Sequence, residues 1–366
     1  MTNDKDQIPV SPYRFTWFDW FCLWYPPGWL ILFNRHWQHY KANPNGWNWL
    51  EYGLFLIPGG FYLASVIRRL RLGSRGVPPI PLELPPAAQT EPDPAYQRAF
   101  QQEILTPIVH RYFRGTLTQL ENLPAKGPLI VAMNHTGMCF PWDFVGLGLL
   151  LSQQRDWFVQ PLAHPIFFDH PWLVGWLPPG WAEVLGGVRA EQQSFEAAIS
   201  EKNILLYAPE GWRGLAKGWQ QRYQLAKFDP SFIRLSLRHQ VPIMPVVCMG
   251  SEYLHPFTFN VQRLARWFKL PMFPISPLIL PFLLFPSMGV WAMRTRLRYH
   301  ILPIWSPWEE SEDRGRGEGE KAENAHAGSQ NQGGGGMSGY RVTYQMAKGL
   351  RSQLQDTINY LRKSPD

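Results

Sequence analysis

Cysteine is scarce in this chain: Cys22, Cys139 and Cys248 are odd in number, far apart and form no C-x-x-C pair. That spacing argues against a disulfide framework or a cysteine-built zinc site and suits a reducing compartment. Uninterrupted apolar runs are missing too. Phe15–Phe33 carries Asp19 and is broken by Pro26 and Pro27, while Trp47–Ile67 carries Glu51 and contains Pro58, Gly59 and Gly60. The first therefore reads as interfacial or re-entrant, and the second barely reaches the length needed to cross a bilayer. The first residues lack the basic region, short apolar core and cleavage site of a secretory signal, so the N-terminal segment is expected to stay on the protein. No basic tract accompanies a nucleic-acid motif, and nucleic acid is not an expected partner.

Aromatics are abundant instead, with 18 Trp and 22 Phe crowded toward the N-terminus. Tryptophan favours the headgroup depth of a membrane, and Arg68, Arg69 and Arg71 would mark the cytoplasmic side under the positive-inside rule. Residues 1–75 are thus expected to form a membrane-associating helical segment, as a short hairpin or a monotopic anchor. The net charge of +7 suits an anionic membrane surface or an acidic acyl carrier.

A Pro-rich connector, 76–94, leads into a region of alternating strand and helix signals. Strands are predicted at Gly115–Leu120, Pro128–Met133, Trp157–Pro161, Asn203–Ala208, Pro242–Cys248 and Arg296–Ile304, with helices at Phe144–Leu151 and Ala190–Glu201. This rhythm predicts an α/β fold, with a mixed, largely parallel central sheet flanked by helices, over 95–308. Residues 309–340, rich in Gly, Glu and Ser, read as a flexible linker. Val342, Met346, Leu350, Leu354, Ile358 and Leu361 then recur every three or four residues, predicting a C-terminal amphipathic helix over 341–366.

The strand PLIVAMN runs into His135, and the next helix opens near Pro141 and Asp143. A strand end opening into a loop is where such a sheet presents reactive groups. An Asp that accepts a hydrogen bond from one imidazole nitrogen leaves the other free to take a proton, so His135 is a candidate general base and Asp143 its orienting partner.

The segment NHTGMCFPWD resembles the active-site motif of the glycerolipid acyltransferase family, which includes lysophosphatidate acyltransferases. The commonest family form has four residues between His and Asp; here there are seven, and the Pro before Asp143 is similar to variants in the monoacylglycerol acyltransferase-like branch. ILLYAPEGWRG resembles the family's Pro-Glu-Gly-x-Arg motif, and GGVRAEQQSFEAAIS its Gly-rich second motif. VPIMPVVCMGSEY resembles the fourth. The likeness spans Arg114 to Ile304.

This resemblance implies transfer of a fatty acyl group from acyl-ACP or acyl-CoA to the hydroxyl of a lysophosphatidate-like glycerolipid, with no metal or bound cofactor. Arg213 is expected to anchor an acceptor phosphate, Glu210 to shape the loop or bind glycerol oxygens, Gly211 to let backbone approach the ligand, and Arg189 to contact the polar head. Backbone N–H groups near Gly137 or Gly211 are candidates for an oxyanion site. The expected partners are membrane lipids, the thioester carrier and the lipid acceptor. Three alternatives stay open: a neutral glyceride or lipid alcohol as acceptor, a Cys–His hydrolase using Cys139, and a non-catalytic membrane scaffold.

Overall fold

Leu129–Met133 and Ile243–Met249 are near-continuous apolar runs, the pattern of strands covered on both faces, and they form the centre of the sheet. The computed structural model describes residues 11–41, 46–74, 94–136, 140–155, 157–169, 176–177, 180–267, 273–309 and 335–364. Its strands are β1 (Thr116–Thr118), β2 (Leu129–Met133), β3 (Val159–Ala163), β4 (Val188–Arg189), β5 (Ile204–Tyr207), β6 (Ile243–Met249), β7 (Phe259–Asn260), β8 (Pro274–Ile275) and β9 (Arg298–Ile301). Two compact units result. One comprises 1–114, 163–189 and 277–294; the other comprises 115–162, 190–276 and 295–366.

In the second unit the strand order is β1-β9-β6-β2-β5-β3. β2 runs parallel to β5 and β6, β3 to β5 and β1 to β9, while β6 and β9 are antiparallel. The mixed, largely parallel sheet predicted from the alternating pattern is therefore present. The terminal helix, Gly335–Lys363, begins inside the stretch expected to be linker. Its Met346, Leu350, Leu354 and Ile358 pack with Ile130, Leu205, Phe232, Ile243 and Val247 into one core. An amphipathic stripe that repeats for four turns thereby finds its apolar partner.

The first unit is helical. The apolar run from Phe15 divides at Pro26–Gly28 into Trp17–Trp24 and Trp29–Tyr40. The latter buries Trp29 through Phe33 completely. The former is capped by Thr16 and buries Asp19, which accepts hydrogen bonds from Arg35 Nε and Tyr13 Oη at 2.8 Å each. Pro58 and Gly59 separate Trp49–Phe55 from Gly60–Ser74. Among the described residues no helix is long and apolar enough to cross a membrane.

Two of the three arginines expected at a membrane surface turn inward. Arg71 pairs with buried Glu51 at 3.0 Å, and Arg68 lies over the Trp176 ring at 5.4 Å; Arg69 is exposed. Burying Glu51 requires a paired cation, and that requirement takes Arg71 from the surface.

His36 is fully buried, with Nδ1 3.1 Å from Tyr96 Oη and Nε2 2.9 Å from a Glu103 oxygen. Neutral imidazole satisfies both contacts when Nε2–H donates to Glu103 and Nδ1 accepts from Tyr96. Burial lowers the His36 pKa from 6.5 to about 4, against the opposing pull of Glu103. Between those values the unfolded chain takes up a proton that the folded chain does not, so stability falls as pH drops from about 6.5 to 4. Melting temperature measured across this window should decline less steeply for His36→Gln than for the wild type.

Candidate active site

Parallel register brings two loops together at the carboxyl ends of β2 and β5. Ala132 pairs with Tyr207, so His135 and Glu210, each three residues further on, leave the sheet at the same level. The helix Trp142–Gln154 then begins, with Asp143 in its first turn. His135 Nδ1 lies 2.8 Å from Asp143 Oδ2, and that oxygen also accepts the Thr136 N–H at 3.2 Å. Taking Nδ1 as the protonated nitrogen leaves Nε2 as the proton acceptor. Asp143 is fully buried and His135 is 7% exposed, with the Phe144 ring edge-on to the imidazole at 4.7 Å. The seven-residue spacing thus returns the carboxylate to the imidazole.

The helix end is held from behind. Tyr299 Oη donates to the Asp143 carbonyl at 2.8 Å, in space that a side chain on Gly146 would occupy. Asn134 locks the β2 exit to β6 by accepting the Cys248 N–H at 2.7 Å and donating to the Cys248 carbonyl at 3.0 Å. Thr136 Oγ1 is bonded to Ser251 Oγ.

Glu210 shapes the loop, one of the two roles expected of it. Its Oε1 accepts the His135 N–H at 3.2 Å; Oε2 accepts from Lys217 Nζ at 2.8 Å and from the Ala226 N–H. It is 1% exposed. Gly211, at φ +53° and ψ −145°, occupies a backbone region that side chains disfavour. Its N–H donates to the Ala208 carbonyl at 2.9 Å, so this group serves the turn and not an oxyanion. Gly214 passes so close that an added Cβ would lie 2.6 Å from the His135 carbonyl oxygen.

Arg213 is exposed, its guanidinium 5.7 Å from the Trp212 ring centroid. Arg189 lies in β4 of the helical unit, over the Phe168 ring at 4.7 Å. Gly137 and Cys139 fall outside the described residues. Sequence reasoning missed Lys217, Arg222, Ser251, Glu252 and Tyr299. Only the GSE run after β6 hinted at any of them, through the turn that Gly250 makes at φ +98°.

Residues 114–249 match the family model described as Acyltransferase. An uncharacterized protein of Mycobacterium tuberculosis (strain ATCC 25618 / H37Rv) is 31% identical over 191 residues, 51% of each chain. One from Mycobacterium leprae (strain TN) is 31% identical over 198 residues, 51% of this chain and 50% of that protein. The chain spans about half the length of the curated relatives it matches. Among solved structures, the 1-acyl-sn-glycerophosphate acyltransferase PlsC from Thermotoga maritima aligns at a TM-score of 0.39 and 12% identity, covering 74% of this chain and 82% of that one.

Removing a buried charge partner strands the other. Glu210→Ala should therefore lower unfolding free energy by roughly 3–5 kcal/mol, whereas exposed Arg213→Ala should change it by less than about 0.5 kcal/mol. Chemical denaturation of the two variants checks this contrast.

Proposed function

We propose that the protein transfers a fatty acyl group from an acyl-ACP or acyl-CoA thioester to a lipid hydroxyl, with His135 as general base; the match of residues 114–249 to the acyltransferase family model supports this reading. The observation that carries this reading is the buried His135–Asp143 contact of 2.8 Å at the carboxyl end of a parallel strand. In this mechanism the acceptor oxygen attacks the thioester carbonyl as His135 Nε2 takes its proton. Asp143 steadies the imidazolium. Collapse of the tetrahedral intermediate expels the thiolate, which recovers the proton, giving an ester and a free thiol. General-base assistance of this kind contributes about 10²- to 10⁴-fold. His135→Ala should lose that factor in transfer of labelled acyl chains from both carriers, while thermal unfolding stays cooperative. Full activity in this variant would remove His135 from the mechanism.

Two acceptor classes fit the reading. A lysophosphatidate-like acceptor is supported by the Pro-Glu-Gly-x-Arg motif, with Arg213 as the cation for the head. The exposure of Arg213 and its stacking on Trp212 favour the second class, a neutral glyceride or lipid alcohol. The extended His-to-Asp loop, similar to the monoacylglycerol acyltransferase-like branch, supports that class too.

The helical unit is proposed to lie in a membrane interface, on the cytoplasmic side. Trp17, Phe21 and Trp24 form one exposed stripe; Tyr62, Leu63, Val66 and Leu70 form another; Leu280 and Leu283 are exposed beside the second. Tyr62 Oη bonds the Leu283 carbonyl at 2.8 Å, joining the last two groups. Exposed apolar surface of this extent marks an interaction site, and tryptophan suits headgroup depth. Trp17→Glu combined with Leu63→Glu should cut the vesicle partition constant, read by co-flotation with anionic phospholipid vesicles, at least about a hundredfold, roughly the loss of two buried apolar side chains. Equal flotation of variant and wild type would refute the assignment.

A further inference from the structure

Beside the catalytic pair lies a cavity of about 30 Å³, lined in part by Thr136, Lys217, Trp219, Arg222, Glu252 and His255. Thr136 is the residue after the base. Two buried atoms of the lining have no hydrogen-bond partner among the described residues: Glu252 Oε1 and Arg222 Nε. Glu252 is 7% exposed, and only its other oxygen is engaged, accepting the Gly250 N–H at 3.0 Å. The Arg222 guanidinium lies over the Trp219 ring at 4.6 Å and donates through Nη1 to the Trp219 carbonyl at 3.2 Å. Leaving a buried donor or acceptor unmet costs about 1–3 kcal/mol, and such groups in a folded protein call for an explanation.

Resting on the acyl-transfer reading, we infer that this cavity seats a second hydroxyl of the acceptor. Glu252 and Arg222 hold it there and select a polyol headgroup over one that ends in phosphate. A hydroxyl carries both a donor and an acceptor. Its O–H serves Glu252 Oε1 while its oxygen receives the Arg222 N–H.

Size points the same way. One water-sized sphere takes about 10–15 Å³, so the cavity has room for a hydroxymethyl group. Charge agrees. Lys217 is already committed to Glu210 at 2.8 Å, and Glu252, whose carboxyl pKa burial pushes up to about 7, repels a second anion in its ionised form.

Three oleoyl probes with the same reacting hydroxyl test the inference: 1-oleoylglycerol, 1-oleoyl-propane-1,2-diol and 1-oleoylglycerol 3-phosphate. Each is offered in detergent micelles with oleoyl-CoA and oleoyl-ACP. For the wild type, kcat/KM should favour 1-oleoylglycerol over the propanediol ester by about ten- to a hundredfold, as expected for loss of a hydrogen bond to a buried group. Arg222→Met and Glu252→Leu should each bring that ratio near one. The ratio is read within one protein, so partial misfolding, which lowers both rates, does not mimic the result. Equal wild-type rates on the glycerol and propanediol probes would overturn the inference and leave the cavity to a fixed water. Preference for the phosphate probe that disappears in Arg222→Met would overturn it in favour of an anion site. If the wild type acylates none of the three, the catalytic reading fails separately. Calorimetric binding to His135→Ala then decides: tighter binding of 1-oleoylglycerol than of the propanediol ester sustains the inference, and equal binding sinks it.

Discussion

The site is organised around one buried carboxylate, that of Glu210. Glu210 accepts from the His135 backbone, from the Lys217 ammonium and from the Ala226 backbone, tying three loop segments to one point. Two of them follow β5; the third carries His135. A buried anion tolerates this position only while its partners surround it, so the geometry of the loops is fixed by electrostatic necessity and the imidazole inherits that rigidity. The His135–Asp143 pair is a dependent of this arrangement, as is the turn through Gly211, which exists to deliver Glu210 inward.

The helical unit solves a related problem by the same means. Asp19 and Glu51 interrupt apolar runs, and read along the sequence they look like penalties. In the fold each lies in a helix's first turn, caps it and takes an arginine from another helix, Arg35 or Arg71. These pairs fix how short helices are arranged where none is long enough to be stable alone. They also free the remaining apolar side chains, Trp17 and Leu70 among them, to face outward.

The sheet was legible because its signal is local: LIVAM and IMPVVCM can hardly be anything but covered strands, and periodic apolar residues from Val342 onward announce a docking helix. His135, Asp143 and Glu210 were legible through resemblance and through their positions at element ends. What stayed hidden is non-local. Lys217 pairs with a residue seven positions back only because the loop doubles on itself, and Tyr299 reaches Asp143 across 156 positions. Arg68 and Arg71 read as surface charges because nothing in their neighbourhood states that Glu51 would be buried. The hairpin-like pairing of β7 with β8 was missed because each strand has only two residues, too few for any alternation to register.

The position of β9 has a consequence for synthesis. Arg298–Ile301 sits between β1 and β6, pairing with one in parallel and the other in antiparallel fashion. While a ribosome is still translating the stretch from Thr118 to Arg298, β1 lacks its partner, and β6 lacks the same partner from Met249 onward. At typical elongation rates of about 5–20 residues per second the gap lasts on the order of ten to tens of seconds. Through that interval Asp143 also lacks the Tyr299 hydroxyl behind its carbonyl, so the corner that holds His135 and Asp143 stays open until β9 has been made. Exposed strand edges are templates for mispairing, which makes the nascent chain, more than the finished protein, the form most dependent on chaperones.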